Sequence, residues 1–193
     1  LFTNASIYNG TDERLYENHQ VLVEGNLIWA ISAGEIETRD GATIIDGGAR
    51  TLMPGLIDSH SHLNMNANGG CNVMEGMRWD EIASRAAAQA QEWLADGFTT
   101  VRDMGVMANG LKKTIDAGML DGPRIYPSAS YISQTAGHGD LFLGSQNQFP
   151  EQSNYYRLGV TQVVDGADEV RRPVRRTCAA GASQSTNRTG GGR

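Results

Sequence analysis

The sequence predicts an α/β protein in two parts: a small all-β unit over residues 1–53, then strand-helix units of a parallel sheet from residue 54. Three observations predict it. Short apolar runs broken by Asn9-Gly10, Glu24-Gly25-Asn26 and Gly47-Gly48 fill the first part. Beyond it, helical periodicity alternates with strand-like runs, the βαβαβ order of a parallel sheet. Between the two stands Pro54-Gly55-Leu56-Ile57-Asp58-Ser59-His60-Ser61-His62, around which the remaining chain is arranged.

In the first part, Ala5-Ser6-Ile7-Tyr8 reads as a strand ending at a turn, and Val21–Val23 and Leu27–Ile31 read as a hairpin. Thr43–Asp46 and Thr51–Met53 follow, and His19 falls in a polar turn, where a solvent-exposed histidine is expected. Gly55-Leu56-Ile57 then reads as a buried parallel strand with both faces covered. Side chains alternate along a strand, so His60 and His62 project together and Asp58 shares their side. Two imidazoles so placed have about the geometry needed to grip one metal ion.

Asn64 to Gly76 reads as a loop, where active-site loops belong if the sheet is a barrel. Ile82, Ala86, Ala90, Trp93 and Leu94 recur at helical spacing over Asp80–Asp96, with Gly97 closing the helix. Phe98–Asp103 is a second strand, and a helix capped by Asn109 runs through Leu111, Ile115 and Leu120 to Gly122-Pro123. Pro123–Ala129 continues into Tyr131–Thr135 as a third strand, leading to the loop Gly137-His138-Gly139-Asp140. Phe149–Leu158 is a polar, aromatic loop that reads as a lid, a pocket wall or an ordinary insertion.

The composition excludes several classes. A formal net charge of -6 without a basic stripe argues against nucleic acid and weakly against anionic membranes. No apolar run approaches the roughly 20 residues that span a bilayer. The two cysteines, Cys71 and Cys178, make no disulfide framework and read as ordinary thiols. The Asn4 and Asn9 triplets matter only in a secreted protein. No signal peptide is visible, so a cytoplasmic location is expected, and the missing initiator methionine suggests an incomplete N-terminus. A nucleotide-binding reading fails, because Gly47-Gly48 and Gly190–Gly192 neither match G-x-G-x-x-G nor open a helix.

The string Pro54–His62, followed by Gly97–Asp103, resembles the first two barrel strands of the amidohydrolase superfamily. Ser133-Gln134-Thr135-Ala136-Gly137-His138-Gly139-Asp140 narrows the resemblance to the Xaa-Pro dipeptidase-like and ochratoxin-hydrolysing amidase-like branch. The resemblance covers residues 1 to about 184. It implies an incomplete TIM (β/α)8 barrel over 54–184, preceded by an N-terminal β-sandwich segment over 1–53 and followed by a non-family polar tail over 185–193. It implies that His60 and His62 ligate zinc or another divalent metal, one or two ions in a full-length member. His138 becomes a substrate-contacting residue, and Asp58 and Asp103 become supports behind the ligands. Without the resemblance, His138 reads equally as a surface residue and Asp103 equally as a surface partner of Arg102.

The sequence also departs from that pattern. Pro173 falls inside the helix that Asp165–Val170 begins, where family members carry a helix-compatible residue. The metal-bridging lysine of the family would align with Thr186, and Ser185–Arg188 offers no apolar face to a sheet. The later histidines and the general-base aspartate of the family have no counterpart, and a TIM barrel needs about 250 residues. A truncated or frame-shifted chain is the economical expectation. The function implied is metal-dependent hydrolysis of amide or peptide bonds in dipeptides or N-acyl amino acids, by a homo-oligomer when full length. The alternative is an inactive fragment or pseudo-enzyme acting as a binding or oligomerisation partner, since two histidines alone hold zinc weakly.

Overall fold

The computed structural model describes residues 1–65, 72–105, 108–140 and 153–188. The chain divides into two compact units, Leu1–Pro54 and the part from Gly55 onward.

The first unit is one five-stranded sheet built from β1 (Phe2–Ile7), β2 (Tyr16–Glu24), β3 (Leu27–Ser32), β4 (Ile45–Asp46) and β5 (Thr51–Leu52). The strands β1, β2 and β3 run antiparallel in turn, and β4 and β5 pair parallel to β1. Ala5, Ile7 and Val21 form its small core, with Phe2, Tyr16 and Leu52 packed against them. This sheet is a single layer among the described residues, and Leu27, Trp29 and Ile31 stand 63%, 69% and 50% exposed on it. His19 is not in a turn: it lies half-buried on β2, its Nδ1 2.7 Å from the carbonyl of Glu17 and its ring edge-on to Tyr16.

The second unit follows the strand-helix alternation. Its elements are β6 (Leu56–Ser61), α1 (Asn72–Glu75), α2 (Trp79–Ala95), β7 (Phe98–Asp103), α3 (Ala108–Asp116), β8 (Arg124–Pro127), β9 (Tyr131–Ser133), α4 (Asn154–Arg157), β10 (Thr161–Val163), α5 (Ala167–Ala179) and β11 (Thr186–Arg188). One parallel sheet has the order β6-β7-β8, and a second has the order β10-β9-β11. Ile82, Ala86 and Ala90 form the buried stripe of α2, as the periodicity requires. The helix closes with Asp96 N–H on the Glu92 carbonyl and Gly97 N–H on the Leu94 carbonyl, and Gly97 takes a φ of 93° that an L side chain resists. Leu63, Val101, Ala108 and Ile125 make one core cluster, and Met74, Ile82, Tyr131, Tyr155 and Val160 make another.

Several expectations are corrected. β6 is an edge strand among the described residues, not a strand covered on both faces; Leu56 is 41% and Ile57 69% exposed. α3 begins at Ala108, so Asn109 lies inside its first turn and donates its side-chain N–H to the Ala180 carbonyl at 2.6 Å instead of capping. The helix stops at Asp116, short of Leu120. The third strand is broken into β8 and β9 at Ala129, whose φ is +57°. Of the expected loop 64–76, residues 66–71 lie outside the described residues, and 72–75 form α1. Of the loop 149–158, residues 149–152 lie outside them, and 154–157 form α4. The Glu75 carboxylate joins these two short helices by accepting from the Ser153 hydroxyl and the Asn154 N–H, each at 3.0 Å.

The two largest surprises come late. α5 continues through Pro173, which is buried within it. Thr186–Arg188 enters the sheet as β11, Thr186 opposite Tyr131, because strand pairing is made by the backbone and needs no apolar face. Residues 189–193 lie outside the described residues. An interior proline costs a helix about 3 kcal/mol through a lost hydrogen bond and a clash with the preceding turn. Replacing Pro173 with alanine is therefore expected to raise stability by about 1 to 3 kcal/mol, read as a higher urea midpoint; an unchanged or lower midpoint would show that the buried ring contributes more packing than it costs.

No helix among the described residues is long and apolar enough to cross a membrane.

Candidate metal centre

The site is built where β6 ends. Along β6 and β7 the register moves from Asp58 opposite Val101 to Ser61 opposite Asp103, so β6 uses one residue more than its partner over that interval. Such a bulge bends a strand and re-aims its side chains. The Asp58 carboxylate holds it, accepting the backbone N–H of His60 at 2.8 Å. Asp58 thus acts on the backbone of the motif, not on an imidazole.

His60 is exposed and His62 half-buried, with ring centroids 5.2 Å apart and planes at 77°. Nδ1 of His62 lies 3.2 Å from the hydroxyl of Tyr131, whose ring stands edge-on to it at 6.2 Å. Tyr131 is fully buried. Its ring lies so close to Gly105 that a Cβ there would fall 1.8 Å from Tyr131 Cε1, and Gly105 has a φ of +126°. Neither Tyr131 nor Gly105 stands out in the sequence; the only signal is a glycine two residues past a strand that ends in aspartate.

Asp103 is fully buried. Its two carboxylate oxygens accept the backbone N–H of Leu63 at 2.9 Å and of Gly105 at 3.2 Å. It therefore fixes the chain on either side of the site: the turn after His62 and the turn beside Tyr131. The surface pairing with Arg102 does not form, because Arg102 points the other way and donates to the Gln184 side chain and, at 3.3 Å, to the Ser59 carbonyl. Burial raises the pKa of Asp103 to about 7, against the two N–H donors that favour its charged form.

The folded chain therefore keeps a proton on Asp103 that the unfolded chain loses near pH 4. The stability associated with the neutral carboxyl is complete below about pH 4, falls as pH rises from there to about 7, and then levels off. At 1.36 kcal/mol per pH unit the loss across that window approaches about 4 kcal/mol. Urea unfolding of wild type and Asp103→Asn in metal-free buffer at pH 4.5 and 7.5 measures it; an equal change in both proteins would assign the pH dependence elsewhere.

His138 is exposed at the apex of a tied loop. Asp165 accepts the Thr135 N–H at 3.0 Å, Asp140 accepts the Ala136 N–H at 2.9 Å, and Ser133 Oγ accepts the Gly139 N–H at 3.1 Å. Among the described residues no hydrogen bond or ring contact joins His138 to His60 or His62. Thr186 is buried, with its hydroxyl 3.9 Å from the sulfur of Met104.

As a donor set, two imidazoles side by side suit zinc and similar divalent ions. Zinc sites use three or four protein ligands, and among the described residues no three His, Cys, Asp or Glu side chains come together. Among the described residues the pair would supply two donors of such a set and not a complete one.

Comparison with known proteins agrees with this architecture. Residues 51–193 match the model of the Amidohydrolase family. Over 140 residues the chain is 35% identical to the ochratoxinase of Aspergillus niger, covering 68% of this chain and 29% of that enzyme. A prolidase crystallised with N-methylphosphonate-L-proline superposes with a TM-score of 0.83 at 31% identity, over 96% of this chain and 45% of the prolidase. The crystal structure of A. niger ochratoxinase superposes with a TM-score of 0.70 at 27% identity, over 97% of this chain and 47% of that one. The chain thus spans less than half the length of these relatives, and the matched mixed α/β fold is of the TIM-barrel type. With more than half its residues under the family model, the chain belongs to the Amidohydrolase family.

Proposed function

We propose that this chain carries the His-x-His part of a divalent-metal centre for hydrolysis of amide or peptide bonds. The observation that supports it most directly is the side-by-side placement of the His60 and His62 rings, 5.2 Å apart at the end of β6. A divalent ion bound there would lower the pKa of its water towards about 7 and polarise a scissile carbonyl. The chain's own residues have narrower tasks. His60 and His62 hold the ion, Asp58 and Asp103 fix the backbone that presents them, and His138 meets substrate from its tied loop. Thr186 supplies no bridging carbamate, and the general base belongs outside the described residues. The substrate class is C-terminal amide bonds, in Xaa-Pro dipeptides or N-acyl amino acids, by analogy with the prolidase and ochratoxinase relatives. The fold proposed for this part is an incomplete barrel with a sandwich-forming segment ahead of it.

A second reading has its own support. Among the described residues β6 has no partner strand on one edge, and Ile57 on it is 69% exposed, as a chain that binds a partner or a second copy would have. The test is reconstitution of the purified chain with zinc, cobalt or manganese, followed by assay against Xaa-Pro dipeptides and N-acyl amino acids. Product release abolished by chelator supports the hydrolase. Stoichiometric metal binding without turnover leaves the chain a metal-binding partner and removes the catalytic claim.

A further inference from the structure

We propose that the cleft between α2 and α3 is a binding site for a small neutral molecule that carries one hydroxyl on an apolar frame, of about the size of a phenol. The cleft has a volume of about 250 Å³. Ile82 and Ala86 of α2, Gly110 and Leu111 of α3, and Leu120 beyond α3 give it apolar walls. Asn64 completes them, and its side-chain Oδ1 is buried with no hydrogen-bond partner among the described residues. The whole residue is only 9% exposed. Buried polar groups are nearly always paired, and one left unpaired carries the full penalty of its lost hydration. None of His60, His62 and His138 lines the cleft, so a ligand there needs no metal.

The chemistry of the walls selects the ligand. Among the described residues no charged side chain lines the cleft, so an ion would lose its hydration there without compensation. An apolar cavity of about 150 Å³ holds benzene, and this larger cleft has room for a six-membered ring with a substituent. The other polar groups on the walls are already served. Thr114 Oγ1 donates to the Gly110 carbonyl at 3.1 Å, and Trp79 stands 63% exposed to water. Asn64 is left as the group a ligand can satisfy. A hydroxyl donates to an amide oxygen and equally accepts from an amide nitrogen, which a hydrocarbon cannot do. The last side-chain torsion of asparagine is soft, so the amide turns readily to meet a ligand. The space is also kept open against local preference. Gly110 lies inside α3, where glycine is a poor helix former, yet an added Cβ would meet nothing within 4 Å.

The experiment titrates the metal-free chain with para-fluorophenol and para-fluorotoluene, near-isosteres that differ in the hydroxyl, and follows the fluorine relaxation of each. Wild type is expected to bind the phenol about 10-fold more tightly than the toluene, the factor that one newly satisfied buried acceptor supplies. Asn64→Leu is expected to lose that preference while still admitting the toluene. Gly110→Leu places a better helix former at an exposed position and is expected to exclude both probes, with urea unfolding confirming an intact fold. Should Asn64→Leu fail to fold, Gly110→Leu decides alone: phenol binding that survives it overturns the inference. Equal affinity for the two probes in wild type overturns the assigned chemistry, and no saturable binding of either overturns the site. Unchanged binding in both variants places the probes elsewhere, such as on the exposed Leu27, Trp29 and Ile31 of the first unit, and overturns it as well.

Discussion

Replacing His60 and His62 together with alanine is expected to lower the affinity for zinc or cobalt by at least about 100-fold, with little change in folding. The magnitude follows from a lower bound: losing a hydrogen bond behind a ligand costs about 10- to 100-fold, and losing the ligands themselves costs more. The small effect on stability follows from exposure, since His60 is exposed, His62 is half-buried, and β6 pairs through its backbone. Titration with cobalt, followed by its visible absorption, measures the affinity, and urea unfolding without metal checks the fold. Single variants should each lose most of the binding, because one imidazole cannot chelate. Affinity retained in the double variant would move the metal to another part of the chain.

Gly105→Ala should be among the most damaging single substitutions in the second unit. Two penalties act together: a φ of +126°, which L residues rarely adopt, and a Cβ placed 1.8 Å from a buried aromatic ring. Backbone strain of this kind costs about 1 to 3 kcal/mol and overpacking about 1 to 3 kcal/mol, so the expected loss is about 2 to 6 kcal/mol. Gly97→Ala provides the comparison, since at φ +93° its Cβ would meet nothing within 4 Å and only strain remains. Urea midpoints of the two variants give the answer; equal losses would mean that the Tyr131 ring yields without cost.

Much of the second unit was legible because it depends on periodicities that a sequence displays. The stripe Ile82, Ala86 and Ala90 is the buried face of α2, and Phe98–Asp103 is a strand to the residue. Strand parity likewise put the His60 and His62 rings side by side. What escaped was settled by tertiary contact. β10 and β11 are three residues each, too short for a period of two to register, and they pair through backbone alone. Asn109 has a capping residue's chemistry, yet its amide goes to Ala180, 71 positions along the chain. Gly55-Leu56-Ile57 reads as a strand covered on both faces because it lacks alternation, but burial depends on what packs over each face, and Ile57 is 69% exposed among the described residues.

The contacts around the candidate centre join distant parts of the chain: Leu63 to Asp103 across 40 residues, His62 to Tyr131 across 69, and Asn154 to Glu75 across 79. Each closes a long loop, and loop closure must be completed before such contacts repay it. The site should accordingly become native late in folding, after the local contacts within α2 have formed. A histidine resonance or a cobalt colour at His62 would then report completion of the whole strand-helix array, and in refolding it should rise after helical circular dichroism rather than with it.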